Sequence, residues 1–111
     1  MYTIEEQRKF AKEQFSSLRL PYTWKLEGYD TVRLHPDSES ELQSIGAIYI
    51  DMSTQGINLK RYRIAYHVYS KHLSIAEKSI VDFGKFKYTC LTSNKTAEQL
   101  SDFIQQQNEN D

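Results

Sequence analysis

Ile57-Asn58-Leu59-Lys60-Arg61-Tyr62-Arg63-Ile64-Ala65-Tyr66-His67-Val68-Tyr69-Ser70-Lys71 is the stretch whose periodicity decides the fold. Between residues 61 and 69, Tyr62, Ile64, Tyr66 and Val68 alternate with Arg61, Arg63, Ala65, His67 and Tyr69. A strand sends successive side chains to opposite faces, whereas a helix would scatter the same apolar residues around its circumference. The pattern therefore predicts a strand with one apolar and one basic, aromatic face. Fully extended, residues 57–71 would reach roughly 50 Å, against a radius of gyration of about 13 Å for a chain of this size. The strand must twist strongly, carry a bulge or project from the body.

Upstream, Ile45–Met52 is rich in β-branched and aromatic side chains and reads as a strand, joined to 57–71 through the turn Ser53-Thr54-Gln55-Gly56. Tyr22–Glu27 and Thr31–His35 also alternate, and the short Gly28-Tyr29-Asp30 link predicts a hairpin between them. Pro36-Asp37-Ser38 interrupts the sheet, with Ser38 and Glu41 spaced to cap a short helix through Gln43. Downstream, Ser74 and Glu77 read as the capping box of a helix lined by Ile75, Ala76, Ile80 and Phe83 and closed by Gly84. Continuation as a strand through Ile80-Val81-Asp82 is the competing reading. Lys85–Leu91 reads as a strand with Phe86, Tyr88 and Cys90 on one side and Lys85, Lys87 and Thr89 on the other.

Both ends of the chain read as helices. Thr3 and Glu6 form a capping box ahead of the apolar stripe Ile4, Ala11, Phe15 and Leu18, with Phe10 beside it, and Pro21 ends the segment. Asn94 or Thr96 opens a last helix that turns Ala97, Leu100, Phe103 and Ile104 inward, while Gln105–Asp111 has no apolar residue and is expected to fray. The expected fold class is α+β: a mostly antiparallel sheet of about five strands, covered on one face by the N- and C-terminal helices, in a single domain over residues 1–104.

Composition narrows the functional classes. With 39% hydrophobic and 26% charged residues in 111, the chain resembles an ordinary globular domain and has no apolar run long enough for a membrane span. The lone Cys90 and the absence of a secretory pattern at the start predict a reducing compartment, the cytoplasm. The formal charge of −1 names no partner, but its distribution is uneven. Residues 53–90 hold seven basic side chains against Glu77 and Asp82, and the rest of the chain holds seven basic against thirteen acidic.

Few motifs carry chemistry. His35, His67 and His72 lack the spacing of metal ligands on one element, so neither metal nor cofactor is expected. Cys90 shares its strand side with Phe86 and Tyr88, the setting of a small buried residue rather than a nucleophile. Pro36-Asp37 could begin a metal-dependent nuclease signature, but Asp51-Met52-Ser53 lacks the lysine that would complete it. The remaining candidate is the basic strand face: Arg61, Arg63, His67, Tyr69 and Lys71, with Lys85 and Lys87 on the same face of a neighbouring strand. Arginine and tyrosine are the residue types that anchor protein interfaces. The expected function is non-enzymatic, that of a small inhibitor-like module that binds and masks a larger protein. The alternative is binding of single-stranded nucleic acid by charge and base stacking on the same face.

Overall fold

The computed structural model describes residues 2–27, 33–34 and 46–110. Among them the order is α1 (Ile4–Ser16), β1 (Lys25–Leu26), β2 (Arg33–Leu34), β3 (Ala47–Ser53), β4 (Arg61–His67), β5 (His72–Asp82), β6 (Lys85–Lys95) and α2 (Ala97–Asn110). All strand pairings are antiparallel, in the order β1-β3-β4-β5-β6 with β2 also on β3. The architecture is the α+β sheet with N- and C-terminal helices that the sequence predicts.

Period-2 alternation builds the core. Ile48, Ile50 and Met52 of β3 lie opposite Tyr66, Ile64 and Tyr62 of β4, and Leu73 and Ile75 of β5 continue the same face. Ala11 of α1 and Leu100 and Ile104 of α2 close over these residues, each fully buried. Trp24 stacks flat on Tyr62, with ring centroids 4.5 Å apart and planes 2° from parallel. Each helix starts with a reciprocal cap: Thr3 with Glu6 on α1, and Thr96 with Gln99 ahead of α2.

Several local expectations are corrected. Residues 57–71 do not form one strand. The chain pairs only over Arg61–His67 and reverses at 68–71, where Lys71 takes a positive φ of 59° and donates its N–H to the His67 carbonyl. The described strands of the expected Tyr22–Glu27 and Thr31–His35 hairpin, β1 and β2, do not pair with each other either. β1 pairs with Met52 and Ser53 while β2 pairs with Ile48 and Tyr49, so the two segments run in the same direction along one edge of β3. The helix expected over 74–83 is the strand β5. Leu73 and Ile75 face the core, and the Ser74 hydroxyl meets the His67 imidazole at 3.0 Å instead of capping a helix. α2 continues past Ile104 to Asn110, and Gln105 donates to the Arg19 carbonyl at 2.7 Å. The short helix expected from Ser38 to Gln43 lies outside the described residues.

β5 and β6 are each 11 residues long and outrun the rest of the sheet. β4 ends opposite Lys78, and beyond that row every residue from Ser79 to Lys87 is exposed. Gly84, at φ 83°, turns this projecting hairpin.

Candidate functional site

The strand face expected to bind a partner is largely occupied by its own neighbours. Arg61, Arg63 and His67 do share the face opposite the helices, as their alternation with buried Tyr62, Ile64 and Tyr66 requires. β3 supplies Asp51 directly across from Arg63. The Arg63 guanidinium donates from Nε to Oδ1 at 2.9 Å and from Nη2 to Oδ2 at 3.3 Å. Its flat faces lie 3.8 Å from the Tyr49 ring centroid and 4.3 Å from that of Tyr88. Two of its N–H donors and both of its flat faces are thus engaged within the sheet.

The neighbouring cations are engaged as well. Arg61 Nε donates to Glu27 Oε1 at 2.8 Å. Lys78 sits 4.2 Å over the Phe86 ring and within 3.6 Å of Glu27 and 3.9 Å of Asp51. Three cations thus converge on two carboxylates. Burial disfavours the Arg63 charge, but the hydrogen bond and the charge of Asp51 outweigh it and hold its pKa above the usual arginine value. Burial pushes the Tyr88 phenol above its usual range, although the Arg63 charge pulls the other way.

The other predicted site residues are dispersed. Tyr69 and Lys71 belong to the reversal after β4, where Tyr69 stacks on Tyr2 with centroids 5.8 Å apart. Lys85 and Lys87 do not share the face of Arg61 and Arg63. Phe86 and Tyr88 reach Lys78 and Arg63 on that face, so the intervening lysine points to the opposite side. Cys90 does share a side with Phe86 and Tyr88, but it is exposed rather than buried.

The sequence reading missed a different surface. The β3–β4 loop is tied at its neck, where Thr54 N–H donates to the Lys60 carbonyl at 2.9 Å and Lys60 N–H to the Thr54 hydroxyl at 2.8 Å. Its tip presents Ile57 fully to solvent and Leu59 half exposed. The register puts this loop at the same end of the sheet as the projecting hairpin, because Ser53, Arg61 and Lys78 form one row. There the hairpin exposes Ile80, Val81 and Phe83, the last of them completely. Comparison with protein-family models, curated proteins and solved structures finds no match.

The chemistry of this apolar end therefore has to be read from its own residues. The competing strand reading through Ile80-Val81-Asp82 covers part of it. Nothing in the sequence marks which loops share an end. Elsewhere, a cleft of about 360 Å³ between α1 and β3 is lined by Phe15, Leu20, Leu26, Ile50 and Met52, with Lys12 and Ser16 at its margin. That lining assembles no acid, base and nucleophile together. Among the described residues no group of three His, Cys, Asp or Glu side chains converges. His67 and His72 face each other as cross-strand partners, but His67 is hydrogen-bonded to Ser74. The carboxylate Asp37 lies outside the described residues.

Proposed function

We propose that the protein is a binding module that docks onto a larger protein through the apolar end formed by the 54–60 loop and the β5–β6 hairpin. The observation that carries this reading is the placement of Ile57 and Phe83, both fully solvent-exposed, on two loops leaving the same row of the sheet. Ile57, Leu59, Ile80, Val81 and Phe83 are thus all exposed at one end of the sheet, and clustered exposed apolar side chains mark contact sites. Lys85 and Lys87 flank the hairpin tip without an ion-pair partner among the described residues, so the complementary surface is an apolar recess with an acidic rim.

The same geometry weighs against the nucleic-acid alternative. Phosphate binding draws on cations able to exchange counterions for phosphates, and Arg61, Arg63 and Lys78 are held by Glu27 and Asp51.

Affinity capture from the native cell, with and without nuclease, tests the reading when run beside an Ile57→Ser/Phe83→Ser variant. The expected result is one protein retained by the wild type in stoichiometric amount, resistant to nuclease and lost with the variant, whose melting temperature is unchanged. Retention that disappears on nuclease treatment, or that the variant does not alter, overturns it.

A further inference from the structure

We infer that the cavity between α1 and the β4–β5 reversal binds a small zwitterion, a free amino acid with an apolar side chain. The cavity measures about 200 Å³, and its lining includes Tyr2, Phe10, Glu13, Tyr66, Val68 and Lys71. It lies at the far end of β4 from the docking surface. Val68 follows the row of Ala47, His67 and His72, whereas Ser53, Arg61 and Lys78 form the row at the other end. The walls are held in place by the fold. The Tyr2 ring meets Phe10 edge-on, with centroids 4.9 Å apart, and stacks on Tyr69. Tyr66 and Val68 are buried. Two opposite charges reach the same cavity, Glu13 from α1 and Lys71 from the reversal. Neither has an ion-pair partner among the described residues, and they do not pair with each other. Burial, then Tyr2 and Glu13, raise the Tyr66 pKa, which sets the Glu13 charge near that phenol.

Lys71 supplies an independent observation. Its φ of 59° is left-handed, where a lysine is strained and a glycine is at ease. The reversal uses that conformation, because the Lys71 N–H donates to the His67 carbonyl at 2.8 Å, but it makes no use of an ammonium there. Strain kept at one residue points to a task for its side chain beyond the turn. Ligand sites combine apolar walls with a few convergent polar groups, and this one offers a carboxylate, a lysine and aromatic rings. The ammonium of an amino acid meets Glu13 beside the Tyr2 and Tyr66 rings, which favour a cation. Its carboxylate meets Lys71, and its side chain lies on Phe10 and Val68. A lone cation would face Lys71 and a lone anion would face Glu13, so the complementary ligand carries both charges.

Isothermal titration calorimetry of the full chain with L-leucine tests this, run beside isoamylamine and isocaproate, which each keep one of its two charges. Leucine should bind at a single site, and each analogue about tenfold more weakly or worse, the loss of one charged hydrogen bond. Lys71→Gly should weaken leucine binding by a similar factor while its melting temperature holds or rises, because glycine relieves the left-handed backbone. A lysine that served the turn alone would give the stability change without the binding change. Glu13→Gln, at an exposed position of α1, should weaken leucine binding likewise. Ile57→Ser/Phe83→Ser should bind leucine as the wild type does, so this inference and the docking proposal fail separately. Absence of leucine binding, equal binding of either analogue, or binding that either Lys71→Gly or Glu13→Gln leaves unchanged overturns the inference.

Discussion

Asp51 and Arg63 form a two-point ion pair across β3 and β4, with the Asp51 side chain 2% exposed and the Arg63 side chain 15% exposed. The pair decides what the sheet face opposite the helices can do. A buried carboxylate is tolerable only while its lone pairs are occupied, so Arg63 is committed to Asp51 before any partner arrives.

Arg63→Ala is therefore expected to destabilise the fold by about 3 kcal/mol, because it leaves Asp51 buried without its partner. From residue types alone, Arg63 would be a free anchor whose loss spares stability. Chemical denaturation of the single variants and of Arg63→Ala/Asp51→Ala measures the difference, and the double variant should recover part of the loss. Arg63→Lys should also destabilise, since an ammonium cannot span both Asp51 oxygens or lie flat between Tyr49 and Tyr88.

The α1 cap makes stability depend on pH at the acid end. The Thr3 backbone N–H, then its hydroxyl, hold the Glu6 carboxyl below its ordinary value of 4.5. A carboxyl depressed in the folded state contributes stability that is present above its unfolded pKa and lost as pH falls through the folded one. The cap should weaken below pH 4.5. Glu6→Gln, whose amide oxygen still accepts from Thr3, should remove that part of the acid dependence. Melting temperatures of the two proteins across the acid range give the comparison.

Tyrosine ionisation provides the alkaline counterpart. Burial raises the pKa of Tyr66, with Tyr2 and Glu13 adding to it, and burial likewise raises that of Tyr88. Both contributions are present below the unfolded tyrosine pKa and fade as pH rises through the folded values. Of the eight tyrosines, these should ionise late in a phenolate absorbance titration. Tyr88→Phe should remove one late component while leaving that of Tyr66 in place.

Trp24 is the chain's only tryptophan, and it lies buried and stacked on Tyr62. Its emission should be blue-shifted in the native state and move red on unfolding. Tyr62→Ala should cost about 3–5 kcal/mol, as loss of a large core aromatic does.

The strands at 47–53 and 61–67 and both helices were legible because each has one wet and one dry side, and that contrast is what periodicity reports. The β5 segment was not. Ser74 and Glu77 mimic a helix cap, and beyond Lys78 the hairpin leaves the sheet, so Ile80-Val81 meets solvent on both sides and loses its alternation. Buried Gln7 was equally hidden. Its amide donates to the Tyr2 carbonyl and accepts from Gly46 N–H, bonds that no pattern within α1 encodes. Alternation also assigns faces without assigning partners. Arg61 and Arg63 were correctly placed together, but the carboxylates that neutralise them come from Glu27 and Asp51 on other strands. The β5–β6 register shifts around Ile75 then set Phe86 and Tyr88, rather than Lys85 and Lys87, beside the arginines.

Hydrogen exchange on the captured complex, compared with the free protein, tests the docking proposal most directly. The account predicts slowed exchange in residues 56–60 and 79–87, with β3 and the centre of β4 unchanged. Slowing confined to β3 and β4 around Asp51 and Arg63, with the hairpin tip exchanging as in the free protein, would contradict it.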